Sequence, residues 1–390
     1  MAPFDNFKNP QKSEREYRPL DYDFYAGCSG IGVFLSSLYT VTNDAVFKTH
    51  AEGALANSIS LLKKTGNVSD GLFSGTSGVA VAVIKSGLEL NNPSLTIQGI
   101  DLLKTLKPVP VDNAQTDLIS GAAGTILALC YLKTELDTPI NDAYVQDLGY
   151  YLVRSAKTER TGLSWKTAKN QSYNLAGLAH GTAGIASSLL KLYEIYGNDV
   201  FLQTALGAVT YENSFYSPLK QNWPDLRNIS EQNFNNRNFN YSNSWCHGAP
   251  GIGLSRLYFY QMLGTECFLT DMKAAVSTTI NNINHIQNYS LCHGLAGNID
   301  FLLTANQVFN ETKTDELVNR FCNKLYAEHI KDHLPVPSGL NDGAETPGLM
   351  LGLAGTGYFL LRCAVPLRIN SLLLLGCRKV YFEEIETSNY

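Results

Sequence analysis

Cysteine is scarce: eight among 390 residues, with no C-x-x-C pair anywhere. That excludes a disulfide-built scaffold and points to a reduced, cytoplasmic protein whose few important cysteines are ligands or nucleophiles. Charge is also scarce, at 17% of residues, and the 30 basic side chains fall short of the 35 acidic ones. Without a basic excess the chain does not read as a nucleic-acid binder. Long hydrophobic runs are missing too. The first twenty residues, MAPFDNFKNPQKSEREYRPL, have no apolar stretch of signal-peptide length. The most apolar segment, Gly348 to Leu361, holds four glycines and meets Arg362, a poor membrane span. Nor does any region alternate with the period of a strand.

What is present is apolar bulk and repetition. Hydrophobic residues make up 44% of the chain, enough for a large core and against general disorder. A G-x-x-G element occurs seven times, with first glycines at Gly27, Gly75, Gly121, Gly181, Gly248, Gly294 and Gly352. Their spacings are 48, 46, 60, 67, 46 and 58 residues, the signature of a repeat architecture. Each is followed by a stretch of helical length that is apolar nearly all round, such as IGVFLSSLY from Ile31 or IASSLLKLY from Ile185. More polar amphipathic stretches lie between, such as Ala45 to Lys64 after Asn43-Asp44, and Asp315 to Ile330 after NETKT.

Each repeat is therefore a helical hairpin, one helix buried and one facing water. Seven hairpins can form an open solenoid or a ring. The buried helices lack a polar face, no repeat looks like a cap, and one chain carries all seven. The expected fold is an all-α toroid, an α/α barrel over residues 21–377, with inner helices preceded by glycine turns that need positive φ and close approach. A polar segment, 1–20, precedes it and a tail, 378–390, follows. One stretch is unlike the rest: 211–244 holds nine asparagines beside Phe215, Tyr216, Trp223, Phe234, Phe239 and Tyr241. It reads either as a long connection between repeats four and five or as a flap over the ring's mouth that contacts a peptide.

Equivalent positions of a ring converge, so the place where repeats differ marks a site. The residue before the first glycine is Ala26, Ser74, Ser120, His180, His247, His293 and Leu351. The one before that is Tyr25, Phe73, Ile119, Ala179, Cys246, Cys292 and Met350. Three histidines and two cysteines thus share one turn in three successive repeats, and neighbouring helices stand about 10 Å apart. Thiolate with imidazole suits tetrahedral zinc, and a helix N-terminus favours the thiolate. The two C-H dipeptides can close a structural site with four ligands, or leave an open, catalytic position with three. His180 is a candidate acid/base at the same height. Asp117 and Asp23, each four residues before a first glycine, can orient a histidine or cap a helix, and for Asp23 capping is the better reading.

The motifs GLAHGTAG, SWCHGAPGIG and LCHGLAGN resemble the lanthionine synthetase C-like cyclases, over about residues 20 to 375. NWPDLR (Asn222 to Arg227), the WCHGAPG form and the closing PGLMLGLAGTGYFLLR are most similar to the C-terminal cyclase half of class II lanthipeptide synthetases. The resemblance implies an α/α-toroid with one zinc on Cys246, Cys292 and His293. It implies addition of precursor-peptide cysteine thiols to dehydroalanine or dehydrobutyrine, with His180 and Asp117 matching the family's acid/base histidine and its aspartate. Class I members carry arginine four residues before the first zinc cysteine and tyrosine just after it. Here these are Ser242 and His247, which makes His247 a competitor for the acid/base role. The implied partners are a dehydrated precursor peptide and a dehydratase, as a protein or as an upstream half that this sequence does not carry. Three rivals stand beside this reading: a protein prenyltransferase β-subunit, a LanC-like glutathione-adding enzyme, and a non-catalytic peptide-binding scaffold with structural zinc. Seven repeats and two ligand cysteines count against the first.

Overall fold

The computed structural model describes residues 19–66, 68–109, 115–167, 172–309 and 314–377. The expected N-terminal segment, except for its last two residues, and the tail 378–390 lie outside the described residues. Seven helices form an inner ring: α1 (Cys28–Thr42), α3 (Thr76–Glu89), α5 (Ala122–Glu135), α7 (Thr182–Tyr196), α10 (Ala249–Leu263), α12 (Leu295–Phe309) and α14 (Leu353–Ala364). Six alternate with them outside: α2 (Ala45–Thr65), α4 (Pro93–Leu103), α6 (Asp142–Ser155), α8 (Asp199–Asn213), α11 (Glu266–Asn282) and α13 (Thr314–Leu325). Each inner helix packs on the next, and α14 returns to pack on α1, so the ring is closed.

The two helix sets form for different reasons. Outer helices start at polar caps: Asp44, Asn92, Asn141 and Asn198 each accept an N–H of the first turn. They bury one stripe only; α2 buries Ala51, Leu55, Ser58, Ile59 and Leu62. Inner helices are buried on every side, as α5 is from Ala122 to Leu132, and none has a side-chain cap where its N-cap is defined. In all of them but α10 the first N–H instead donates to a carbonyl seven residues back. Cys28 reaches Asp21 at 2.8 Å, Thr76 Ser69 at 3.0 Å, Thr182 Leu175 at 3.1 Å and Leu295 Asn288 at 2.9 Å. The glycine turn is thus a built-in backbone cap.

Glycine is required there mainly for space. A Cβ on the second glycine of each element would run into a carbonyl oxygen six residues back, Leu72 for Gly78 and Leu118 for Gly124. The expected positive φ holds for one first glycine alone, Gly248 at 93°. Gly27, Gly75, Gly121, Gly181 and Gly352 are extended, a conformation any residue adopts, so crowding rather than handedness selects them.

A circuit of backbone hydrogen bonds links the turns. Tyr25 N donates to Phe73 O, Phe73 to Ile119, Leu118 to Ala179, Ala179 to Cys246, Trp245 to Cys292, Cys292 to Met350, and Met350 back to Tyr25, all between 2.7 and 3.3 Å. At the other end, 365–377 enters the barrel in place of a seventh outer helix. Leu373 O accepts from the Trp245 indole at 2.8 Å, Ser371 bonds Asp300, and Ile369, Leu372, Leu373 and Leu375 are buried.

Strand content is confined, among the described residues, to a two-residue hairpin, β1 (Lys157–Thr158) with β2 (Leu163–Ser164), and isolated bridges. The stretch 211–244 is ordered. It begins inside α8, carries α9 (Glu231–Asn235), and shares a small core of Leu175, Ala176, Tyr211, Phe215, Leu226 and Phe239 with the connection before α7. Trp223 is fully buried, its indole donating to Asn213 at 3.0 Å.

Candidate metal centre

The backbone circuit sets Cys246 and Cys292 on neighbouring turns, the first before α10 and the second before α12. Their sulphurs and a ring nitrogen of His293 all lie within 4.8 Å of one another. Ligands of a tetrahedral zinc, at about 2.0–2.3 Å from the metal, stand roughly 3.5–4 Å apart, so the three donors fit one ion with little movement. His293 Nε2 donates to Gly339 O at 2.7 Å, which leaves Nδ1 with its lone pair free for a metal. Such an outward hydrogen bond is what orients a metal-binding imidazole. A Cβ on Gly339 would come within 2.8 Å of that Nε2, so glycine admits the contact.

The electrostatics favour a cation. Hydrogen bonding with Cys292, opposed by burial and reinforced by His293, holds the Cys246 thiol well below its ordinary range. Cys292 is held well above it by Cys246 and by burial, so the two thiols titrate as a pair in which the first proton leaves easily and the second is retained. Burial lowers His293, but Cys246 outweighs burial and its net shift is upward. Two thiols and an imidazole competing for protons are a site that exchanges them for a metal.

His247 is not in this cluster. It is 1% exposed, and neither ring nitrogen has a hydrogen-bond partner among the described residues. Its Nδ1 lies 4.0 Å from Asp225 Oδ1. Burial first, then Arg227 and His180, push its pKa down against Cys246 and Asp225, so it stays neutral. Of the two C-H dipeptides, only the second brings its histidine to the sulphurs.

His180 and Asp117 do meet. His180 Nδ1 lies 2.6 Å from Asp117 Oδ2, while Asp117 Oδ1 accepts the Ser120 N–H at 2.9 Å. Asp117 therefore both braces its own turn and aligns the histidine. Asp23, its counterpart in the first repeat, accepts from the backbone of its own turn, Ala26 N at 2.7 Å among them, a local cap. The His180 side chain is 34% exposed, against 4% for Asp117. Burial lowers its pKa, yet the Asp117 hydrogen bond and charge, with Cys246, outweigh burial and leave it raised. Its ring is 6.4 Å from that of His247, nearly parallel.

Three further residues stand at the site without having been singled out from sequence. The Tyr25 hydroxyl hydrogen-bonds Cys292, and burial plus both cysteines hold it far above its ordinary pKa, so it remains a donor. Its register position, two residues before Gly27, matches Cys246 and Cys292, a signal that was there to read. Asp225 and Arg227 lie in NWPDLR, distant in sequence, and arrive on the 211–244 segment; only the tertiary structure shows them. The other cysteines are scattered: Cys28, Cys130 and Cys377 buried, Cys322 and Cys363 half-buried, Cys267 exposed.

Comparison with known proteins bears on this geometry. The profile of the lanthionine synthetase C-like proteins matches residues 18–374. The lacticin 481/lactococcin biosynthesis protein LcnDR2 of Lactococcus lactis subsp. lactis is 25% identical over 89% of this chain, which spans only 36% of that protein. The nisin biosynthesis protein NisC of the same organism is 23% identical, over 85% of this chain and 84% of its own. Glutathione S-transferase LANCL1 of Danio rerio is 22% identical, over 90% and 84%. The solved nisin cyclase superposes with a TM-score of 0.70 at 20% identity, covering 93% of this chain and 94% of that one, so the two share the α/α-toroid fold.

Proposed function

The chain belongs to the lanthionine synthetase C-like family, and from that premise we propose that it is a zinc-dependent peptide cyclase. It would add cysteine thiols of a dehydrated precursor peptide to dehydroalanine or dehydrobutyrine, closing (methyl)lanthionine rings. The observation that carries the reading is the three-donor cluster of Cys246, Cys292 and His293, with the His180–Asp117 pair at the same mouth. A group of three protein donors leaves a tetrahedral ion one open position, where four would leave none. Zinc held there supplies one thing, a lowered pKa for an incoming thiol, normally near 8.5.

The protein's residues do the rest. Cys246 and Cys292 would hold the ion as thiolates, and their two negative charges would keep an incoming thiolate reactive. Attack at the β-carbon leaves an enolate that needs a proton at the α-carbon. His180, raised in pKa and a third exposed, is suited to deliver it. Asp117 holds Nδ1, so the proton passes from Nε2. His247, neutral and shut from solvent, is a poor competitor for this role. The precursor is supplied by a dehydratase acting earlier, on this chain's own protein or on another.

The test is mass spectrometry of a dehydrated peptide with a thiol-trapping reagent. Cys292→Ala should lose both bound zinc and ring closure; stoichiometric zinc with unchanged closure would end the assignment. Likeness to a glutathione S-transferase supports a second reading, addition of glutathione to a dehydro residue. Offering one dehydrated peptide its own cysteines and free glutathione together separates the two by product mass.

A further inference from the structure

Arg227 is a fixed cation. Its Nη2 lies 2.6 Å from Asp225 Oδ2, its Nε 3.0 and 3.1 Å from the two carboxylate oxygens, and its backbone N–H 3.0 Å from Oδ1. Asp225 is anchored in turn by its N–H to Asn240 O at 2.9 Å, and Trp223 roots the segment in the core. An ion pair between residues two apart on a surface contributes about 0–1 kcal/mol to stability, so stability is a weak reason for this arrangement. Its position gives a better one. The carboxylate that grips Arg227 reaches within 4.0 Å of His247, the residue after Cys246. The Arg227 charge is felt by Tyr25, His180, His247, Cys292 and His293. The Arg227 side chain is nevertheless 43% exposed, with its Nη1 edge free of Asp225. A permanent cation, held still, open to solvent and joined through Asp225 to the His247 side of the cluster, is a preformed anion site.

We propose that Arg227 is a catalytic residue of thiol addition, its guanidinium stabilising the negative charge that develops on the carbonyl oxygen of the dehydro residue. This rests on the cyclase reading above. In the step, the thiolate pair forms the C–S bond at the β-carbon and the alkene π pair moves onto the α-carbon and its carbonyl oxygen. Arg227 hydrogen-bonds that oxygen until His180 donates a proton to the α-carbon. His180 then recovers, through solvent, the proton the thiol gave up, so no electrons are gained or lost. Two groups thereby divide the work: Arg227 steadies the charge and His180 discharges it.

The experiment uses the zinc-loaded chain, a dehydrated precursor peptide, and Arg227→Ala, Arg227→Gln and Arg227→Lys. The expected result is unchanged zinc stoichiometry, unchanged peptide affinity by fluorescence anisotropy, and kcat reduced about 10²–10³-fold in Arg227→Ala and Arg227→Gln. Arg227→Lys should fall between, and guanidinium ion at non-denaturing concentration should restore part of the Arg227→Ala rate while leaving wild type unaffected. Any of three results overturns the proposal: kcat within about threefold of wild type, a loss confined to KM, or a loss that follows zinc release. Failure of wild type to cyclise would instead refute the cyclase reading.

Discussion

His180 and His247 occupy the same register position, one repeat apart, and sequence alone makes them rivals. Their surroundings separate them: one faces Asp117 at 2.6 Å and solvent, the other is sealed without a hydrogen-bond partner. His180→Ala should therefore lower cyclisation by about 10²–10⁴-fold with zinc retained, and His247→Asn should keep far more activity, both read by mass spectrometry. The pH dependence follows from the charges around His180, which are Asp117 and Cys246 raising its pKa and Arg227 lowering it, beside a neutral His247. A raised pKa keeps the imidazolium above the ordinary value of 6.5, so activity should fall on the alkaline side of it. Asp117→Asn removes the largest raising influence and should move that fall to lower pH. A kcat profile unmoved by Asp117→Asn would separate the aspartate from the histidine's protonation.

At the scale of the element, the glycine turn is the unit. Its second glycine sits against the carbonyl six residues back in every repeat, leaving no room for a methyl group. Gly124→Ala or Gly184→Ala should destabilise by about 1–3 kcal/mol, measured by urea unfolding, even though alanine is the better helix former. Gly53, on the exposed face of α2, has nothing within 4 Å of its Cβ position, so Gly53→Ala should stabilise by up to about 1 kcal/mol. The opposite signs of these substitutions report whether the inner turns are limited by space. The turn pattern was legible in sequence because crowding leaves glycine at a fixed spacing. Its conformation was not, because crowding and positive φ select the same residue.

At the scale of the molecule, one buried network ties the site's parts together. Arg256 and Glu212, both fully buried, pair at 2.7 Å, and Asp271 joins Arg256 at 3.1 Å. Glu212 Oε1 also accepts the Gly177 N–H at 2.8 Å, bracing the connection that leads to His180, and Asn213 bonds both Arg256 and the Trp223 indole. Glu212→Gln leaves Arg256 without its nearest countercharge and should cost about 3–5 kcal/mol, visible as a lower melting temperature. Zinc should act the opposite way. A ligand at 100 times its Kd stabilises by about 2.7 kcal/mol, so a chelator should lower the melting temperature of wild type and leave Cys292→Ala unmoved. Among the described residues no helix is long and apolar enough to cross a membrane.

The amino-acid sequence determined what repeats: buried helices after glycine turns, polar helices between them, and cysteines and histidines confined to three neighbouring turns. Those features follow from local rules of period, capping and crowding, which act over a few residues and leave a mark at each. Tertiary structure decided what faces what. It turned His293 inward and shut His247 away, set Asp117 against His180 across 63 residues, and brought Asp225 and Arg227 to the mouth on a segment with its own small core. Those choices depend on how the ring and the 211–244 segment pack together, and packing between distant residues follows no fixed interval along the chain.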